Sequence, residues 1–222
     1  MSLKDGFNRA LTEINCVKQT LFSALGEKFM VADYLFIVRH GDTEANKKGI
    51  NAGPMDYPLN KRGVKAVSFT AKALSKVKIS AIYSSPVFRA VETSEILARP
   101  HKLKVKILEE LTEAKLKPEF VGKKGRHHIL TTPEAFLETN SDILARTSKA
   151  IEIIKKKDKG NVIVVSHGDV ITAMLEGVVE RKVSTEKYYV LHPDPASVSV
   201  VDIKNRPFLV LFNYHSKQFE NF

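Results

Sequence analysis

The chain has 222 residues, of which 43% are hydrophobic and 27% are charged, an ordinary composition for a globular protein and too apolar for a disordered one. Its one cysteine, Cys16, excludes an internal disulfide and a cysteine-based zinc cluster. With 35 Lys and Arg against 25 Asp and Glu the net charge is +10, which favours an anionic partner: nucleic acid, an acidic membrane surface or a phosphorylated substrate.

Residues 1–30 are predicted to form an N-terminal helical extension. Apolar side chains recur there at steps of three or four residues from Leu3 to Leu25, and Gly26 then provides a helix stop. We expect this amphipathic helix to pack against the rest of the chain. The alternative is a helix that binds a partner or a second copy of the chain, as in a homodimer.

The same segment does not have the pattern of a signal peptide. Charged residues such as Lys4, Asp5 and Arg9 interrupt it, and no small-residue cleavage site follows an apolar stretch. No apolar run in the sequence approaches the roughly 18 residues that a membrane span requires. We therefore expect no membrane partner and a cytoplasmic location, which suits a single free cysteine.

From residue 34 onward, short apolar runs alternate with segments of helical periodicity. Buried strands are predicted at 34–38, 79–83, 105–108 and 162–165, with two final strands at 197–202 and 208–212. Helices are predicted at about 60–75, 86–99, 133–156 and 168–179. This alternation predicts an α/β fold, with a mainly parallel central sheet flanked by helices, formed by a single catalytic domain over residues 31–222.

Local signals mark the start of two of these helices and a polar segment between strands. Asn60 is predicted to cap the helix at 60–75, and Thr132 followed by Pro133 is predicted to start the helix at 133–156. Residues 112–132 are predicted to form a short basic lid, although a solvated loop fits the same pattern. Its basic residues are Lys115, Lys117, Lys123, Lys124 and Arg126.

Chemically active side chains follow all four predicted parallel strands. Ligands of an open parallel sheet bind beyond the carboxyl ends of its strands, so these side chains should meet at one edge. They form four groups along the chain: Arg39-His40-Gly41, then Ser84-Ser85 with Arg89, then Glu109-Glu110, and finally Ser166-His167-Gly168.

This set of residues indicates phosphoryl-transfer chemistry. Two guanidinium groups that converge on one point suit a phosphoryl group, because an Arg fork matches phosphate oxygens in pairs. A neutral imidazole nitrogen can attack phosphorus and form a phosphohistidine, and a second His can donate hydrogen bonds to the phosphoryl oxygens. A carboxylic acid beside the phosphate can protonate the leaving oxygen.

Five ordered motifs match one known family. They are R-H-G-D-T-E-A-N at 39–46, G-P-M-D-Y-P-L at 53–59, S-S-P-V-F-R-A-V-E-T at 84–93, S-H-G at 166–168 and S-V-S at 197–199. Together they resemble the histidine phosphatase superfamily, which includes cofactor-dependent phosphoglycerate mutases and many phosphatases. The resemblance covers about residues 34–203, and it implies a phosphoglycerate mutase-like fold.

The resemblance implies a role for each matching residue. His40 would be the nucleophile that becomes phosphorylated, and Arg39, Arg89 and His167 would complete the phosphate pocket. The L-x-E element points to Glu110 as the proton donor, with Glu109 and Glu113 as rivals. Residues of the same motifs that would bind substrate are Asn46, Thr43, Gly53 and Gly168.

The sequence also departs from the family pattern. Ala52 stands where the family often has Gln, and residues 112–116 lack the Gly and the aromatic-Glu-Gly run that many relatives carry after the proton donor. His167 follows Glu110 by only 57 positions, which leaves no room for the long insertion of the mutases. The resemblance therefore favours hydrolysis of phosphomonoesters, with a cofactor-dependent phosphoglycerate mutase as the alternative.

Further alternatives concern partners and cofactors. A non-catalytic module that binds phosphate or nucleic acid is the other function class, but the lysines are spread along the chain and no nucleic-acid-binding motif is present. The expected substrate is a phosphorylated small molecule or a phosphoprotein. We expect neither a metal nor another cofactor, because the side chains of adjacent residues such as His127 and His128 usually point apart, and no third ligand has suitable spacing.

Overall fold

A six-stranded sheet forms the centre of the computed structural model, which describes residues 34–125, 133–178, 192–204 and 207–214. The N-terminal extension predicted over residues 1–30 lies outside these ranges. The strands are β1 (Tyr34–Arg39), β2 (Ile79–Ser84), β3 (Val105–Ile107), β4 (Asn161–Ser166), β5 (Val198–Asp202) and β6 (Phe208–Tyr214). The six strands agree with the predicted ones to within two residues at either end.

The strand order is β3-β2-β4-β1-β5-β6. The first four of these strands are parallel, and β5 runs antiparallel to both β1 and β6. The mainly parallel sheet is thus confirmed. In the register, Arg39 lies opposite Ser166, and Ser84 lies opposite both Val165 and Ile107. The carboxyl ends of the four parallel strands therefore lie at one edge of the sheet.

Helices cover both faces of this sheet. Five α-helices occur within the described ranges: α1 (Glu44–Lys48), α2 (Lys61–Leu74), α3 (Phe88–Ala98), α4 (Asn140–Lys157) and α5 (Gly168–Val178). Side chains alternate between the two faces of a strand. In β4, Val162 and Val164 therefore belong to one core cluster with α4 and α5, while Ile163 and Val165 belong to another with α2 and α3. Burial on both faces explains the continuous apolar runs of the parallel strands.

The start of α4 differs from the prediction. A short 3-10 turn occupies Pro133–Ala135, and the α-helix begins only at Asn140. Thr139 caps it: the Thr139 Oγ1 accepts from the Asp142 backbone N–H, and the Asp142 carboxylate accepts from the Thr139 backbone N–H. This reciprocal capping box stabilises a helix start, whereas Pro133 only begins the preceding turn. The prediction of a helix from residue 133 with Thr132 as its cap was wrong.

The described part of the predicted lid, residues 112–125, folds back onto the loop after α1. The Gly122 N–H donates to the Asn51 carbonyl at 2.8 Å, and the Asn51 N–H donates to the Lys123 carbonyl at 3.0 Å. The Gly125 N–H also donates to the Gly49 carbonyl at 3.1 Å. Residues 126–132 lie outside the described ranges. These backbone bonds fix one wall of the cavity at the edge of the sheet.

None of the helices in the described ranges has both the length and the apolar character that a membrane-spanning helix needs.

Candidate active site

His40 follows β1 directly, and its side chain is buried, with 1% of its surface exposed. Its Nδ1 lies 2.8 Å from the Gly41 carbonyl oxygen, and its Nε2 lies 3.2 Å from Nε of Arg89. A carbonyl can only accept a hydrogen bond and a guanidinium can only donate one. We therefore assign the proton to Nδ1, which leaves the lone pair on Nε2 and makes Nε2 the nucleophilic atom.

The surroundings of His40 also keep its ring neutral. Burial lowers the pKa of His40 well below its usual value, and the positive charge of Arg89 lowers the pKa further. His167 and Arg39 act in the same direction. Since only a neutral imidazole has a free lone pair, this environment keeps His40 in its nucleophilic form at neutral pH.

His167 lies beside His40, with the two ring centroids 5.2 Å apart. It follows β4, is fully buried, and has its Nε2 2.8 Å from the Ser85 Oγ and its Nδ1 3.4 Å from Oε2 of Glu113. Burial lowers the pKa of His167 to about 3, although the Glu113 carboxylate opposes this change. The motifs at 84–93 and 166–168 thus meet at the edge of the sheet, as predicted.

Arg89 projects from the first turn of α3 into the same site and is 2% exposed. Its guanidinium donates to the Gly53 carbonyl at 3.1 Å and to the Met55 carbonyl at 3.3 Å. It also lies 3.3 Å from Oε2 of Glu113. Two loop carbonyls and one carboxylate therefore hold this guanidinium against His40, and Gly53 acts through its carbonyl.

Arg39, the last residue of β1, is held from the opposite side. Its Nη1 donates to the Pro193 carbonyl at 2.6 Å and lies 3.1 Å from Nε2 of His192. A Cβ at Gly168 would overlap the His192 ring and would lie 3.2 Å from Cζ of Arg39. Gly168 therefore allows Arg39 and His192 to pack against the start of α5. His192 belongs to none of the motifs, and no sequence signal indicated its place in the site.

Thr43 and Asn46 line the site at the start of α1, where Thr43 is the N-cap and Asn46 lies in the first turn. The Thr43 N–H and Oγ1 both donate to the Asn46 Oδ1, at 3.2 and 2.8 Å, and the Asn46 N–H donates to the Thr43 Oγ1 at 3.2 Å. These bonds form a capping box that fixes the start of this short helix. Both residues line the cavity, so the structure brings them to the place where the resemblance puts substrate-binding residues.

The carboxylate at the site is Glu113, not Glu110. Glu110 points to α4, where its Oε1 lies 2.9 Å from Nζ of Lys149. The hydrogen bond from Lys149 lowers the pKa of Glu110, which is the wrong direction for a proton donor. Glu113 instead contacts Arg89 and His167 and lines the cavity. The structure therefore contradicts the placement of Glu110 at the site and favours its rival Glu113.

The backbone after β3 explains this difference. Leu108 is extended, and a 3-10 turn then occupies Glu109–Leu111. This turn buries Leu111 completely in the core, where its carbonyl accepts a hydrogen bond from the Ser166 Oγ at 2.8 Å. The chain is extended again at Thr112, so the carboxylate that reaches the cavity comes two residues after the turn.

His40, Arg89 and Glu113 line a cavity that opens to solvent, and the free space among its lining residues, open solvent included, is about 450 Å³. Its outer wall is largely apolar, and the predicted lid contributes Ala114 and Leu116 to it rather than a lysine: Lys115, Lys117, Lys123 and Lys124 are not among the described lining residues. The residues of the outer wall are Ile50, Asn51, Ala52, Ala114, Leu116, Phe136 and Asp169.

The inner end of the cavity suits an anion better than a metal ion. Ligand atoms of His40, Glu113 and His167 lie within 4.8 Å of one another, close enough to share an ion. However, Arg39 and Arg89 lower the pKa of both histidines through their charge. The same positive field opposes a bound cation and attracts a phosphoryl dianion.

The family assignment follows from comparison with known proteins. The model of the histidine phosphatase superfamily (branch 1) matches residues 35–214. Since this match spans most of the chain, the protein belongs to the histidine phosphatase superfamily. The resemblance seen in the sequence is thereby confirmed.

Individual relatives carry different activities. The chain is 29% identical over 194 residues to a metal-independent phosphoserine phosphatase of Arabidopsis thaliana, covering 79% of each chain. It is 29% identical over 177 residues to a 2,3-bisphosphoglycerate-dependent phosphoglycerate mutase of Thermoplasma acidophilum, covering 76% of this chain and 86% of the relative. Among solved structures, a mycobacterial glucosyl-3-phosphoglycerate phosphatase in complex with VO3 has a TM-score of 0.71 at 22% sequence identity. The match covers 81% of this chain and 98% of that structure's chain. This likeness confirms the predicted fold.

The buried histidines predict how stability depends on pH. In the unfolded chain each titrates near 6.5, whereas in the folded protein the pKa of His40 is well below its usual value and that of His167 is about 3. The unfolded state therefore binds more protons below pH 6.5, and the free energy of unfolding should fall with decreasing pH, by up to about 1.4 kcal/mol per pH unit for each histidine.

Urea unfolding at pH 7.5, 6.5 and 5.5 measures this slope. His167→Gln should remove about half of the pH dependence of the free energy of unfolding that the two histidines cause. This expectation holds whatever the substitution does to stability at pH 7.5. A wild-type free energy of unfolding that stays constant or rises between pH 6.5 and 5.5 would contradict the assigned neutral state.

Proposed function

We propose that the protein is a phosphatase that hydrolyses phosphomonoesters through a phosphohistidine intermediate on His40. Its family supports the coarser statement, an enzyme acting on phosphoric monoesters. The observation that carries the proposal is the buried, neutral His40. Its Nε2 lone pair lies against the Arg89 guanidinium, at the inner end of a cavity that also contains Glu113.

The first step transfers the phosphoryl group to the enzyme. The guanidinium groups of Arg39 and Arg89, with His167, would hold the phosphoryl oxygens. Nε2 of His40 then forms a bond to phosphorus while the ester P–O bond breaks, and the Glu113 carboxylic acid gives its proton to the leaving oxygen. The hydrogen bond from Nδ1 to the Gly41 carbonyl stabilises the positive charge that develops on the ring.

The second step releases phosphate. A water molecule attacks the phosphorus atom, the Glu113 carboxylate takes its proton, and the P–N bond to His40 breaks. Inorganic phosphate leaves, while His40 returns to its neutral form and Glu113 to its acid form. Thr43 and Asn46 would contact the substrate in the cavity. Gly168 would let Arg39 lie close to the N-terminus of α5, where the helix dipole favours an anion.

The cavity favours hydrolysis over intramolecular transfer. A mutase must exclude water while the substrate presents a second oxygen to the phosphohistidine. Here 54 positions separate Glu113 from His167, and α4 takes 18 of them. The described part of the lid is fixed to the loop after α1 and adds an apolar wall, not a second phosphate site. The mutase nevertheless remains the second candidate, because a phosphoglycerate mutase is among the relatives.

The proposed substrate is a phosphorylated small molecule, with a phosphoprotein side chain as the alternative. Beyond the phosphate end, the described lining offers apolar contacts, two amides and one carboxylate, Asp169. No lysine is among these described lining residues, so they favour a substrate without a second anionic group. A cytoplasmic location and a homodimer stay predictions from the sequence.

A panel of phosphomonoesters that includes 3-phosphoglycerate tests the reaction type. We expect inorganic phosphate as the product, measured colorimetrically, and no 2-phosphoglycerate in the 3-phosphoglycerate reaction, measured by NMR with and without added 2,3-bisphosphoglycerate. Formation of 2-phosphoglycerate faster than phosphate would establish the mutase instead.

Substitution of His40 tests the intermediate. His40→Ala should abolish turnover of p-nitrophenyl phosphate and leave no alkali-stable label after incubation with ³²P-labelled substrate, because no other atom replaces Nε2. The matched control is His101→Ala, in the 3-10 turn after α3, which should label and turn over like the wild type. Wild-type turnover by His40→Ala would refute the proposed nucleophile.

Paired glutamate variants test the proton donor. Glu113→Gln should lower kcat for an alkyl phosphate by about a hundredfold or more and that for p-nitrophenyl phosphate far less, because only the alkoxide needs protonation. Glu110→Gln removes the rival and should keep the wild-type ratio of the two rates. The assignment fails if Glu110→Gln, and not Glu113→Gln, changes that ratio.

A further inference from the structure

We infer that Arg146 and Glu138 are positioning residues that hold the backbone on both sides of Glu113, and so set where its carboxyl group lies. This inference rests on the proposed role of Glu113 as the proton donor. It assigns a function to two largely buried charged residues that do not line the cavity and have no place in the reaction steps above.

Arg146 lies on α4 and reaches the segment that precedes Glu113. Its Nη1 donates to the Glu110 carbonyl at 2.7 Å and to the Thr112 carbonyl at 2.9 Å. These carbonyls are on either side of Leu111, whose side chain is anchored in the core. One guanidinium nitrogen thus fixes the backbone up to the residue immediately before Glu113.

Glu138 completes the clamp on the other side. Its carboxylate accepts from Nε of Arg146 at 3.1 Å and from Nη2 at 2.9 Å, and its Oε1 also accepts from the Lys115 N–H at 2.8 Å. The Lys115 carbonyl in turn accepts from the Leu137 N–H at 2.7 Å. The ion pair therefore ties Thr112 and Lys115 to one rigid helix, with Glu113 between them.

The geometry of this clamp requires an arginine. Four hydrogen bonds leave one planar group in fixed directions, which a lysine ammonium on a flexible stem cannot reproduce. The side chains of Arg146 and Glu138 are only 17% and 9% exposed, so the four hydrogen bonds of the guanidinium are partly shielded from water, which strengthens them. A shift of about 1 Å in a catalytic group costs on the order of a hundredfold in rate. Loss of the clamp should therefore impair proton transfer more than phosphate binding.

The experiment measures kcat and KM for p-nitrophenyl phosphate and for an alkyl phosphate. We expect Arg146→Met to lower kcat for the alkyl phosphate by about tenfold to a hundredfold, with kcat for p-nitrophenyl phosphate and both KM values within about threefold of wild type. Arg146→Lys keeps the charge but not the fork and should show the same pattern. Glu138→Gln, which keeps one acceptor oxygen, should show it more weakly.

Lys149→Met is the matched control. Lys149 lies one turn further along α4 and pairs with the Glu110 side chain, not with the backbone, while its own side chain is 69% exposed. The Lys149→Met variant should keep the wild-type ratio of kcat for the alkyl phosphate to kcat for p-nitrophenyl phosphate. Circular dichroism and the melting temperature identify any variant that fails to fold; Arg146→Lys and Glu138→Gln then carry the test in place of Arg146→Met.

A double variant distinguishes an effect that acts through the position of Glu113 from a loss of activity that does not depend on Glu113. In a Glu113→Gln background, Arg146→Met should have little further effect on the alkyl phosphate, because the group that it positions is already gone. Equal loss on both substrates, or a full additional loss in this background, would overturn the inference. If Glu113→Gln itself leaves the ratio of rates unchanged, the proposed donor fails; if Glu113→Gln changes it and Arg146→Met does not, only the clamp fails.

Discussion

The guanidinium group of Arg89 connects His40, Glu113 and the loop that contains Gly53. It donates to Nε2 of His40, to the carbonyl of Gly53 and to the carboxylate of Glu113. Its charge also helps to keep His40 neutral. A buried guanidinium is costly unless its donors are paired, so these contacts also fix where the three groups lie relative to one another. The strand ends and loops of the fold place the hydrogen-bond partners of this one guanidinium group.

The residues around Arg89 are held in place in two different ways. The sheet edge supplies His40, His167 and Arg39 from the ends of buried strands, where both faces are packed and little movement is available. Glu113 comes from an irregular segment, and it owes its position to side chains of α4 and the turn before it. The core therefore fixes His40, the proposed nucleophile, whereas polar contacts fix Glu113, the proposed acid. This difference is why substitutions remote from the cavity should affect protonation before phosphate binding.

The sequence predicted the parts of the site that follow from periodic structure. His40 and His167 follow continuous apolar runs, and the ends of parallel strands must share an edge, so their meeting could be derived without coordinates. Glu110 was misplaced because a spacing motif does not reveal the 3-10 turn that directs it to Lys149. The start of α4 was misplaced because Thr-Pro and the Thr139 capping box are both local start signals. His192 could not be predicted, since only the folded chain brings it to Arg39.

The position of β1 in the middle of the sheet determines at which stage of folding the site can assemble. The His40 N–H donates to the Ser166 carbonyl, and the Arg39 N–H donates to the Ser197 carbonyl, so His40 is fixed by residues that are synthesised more than 120 positions later. Contacts so distant in sequence form late, because the intervening loop must be closed first. A nascent chain that carries His40 but lacks β4 and β5 thus has no assembled phosphate pocket. The site can therefore form only after the chain has been synthesised through β5.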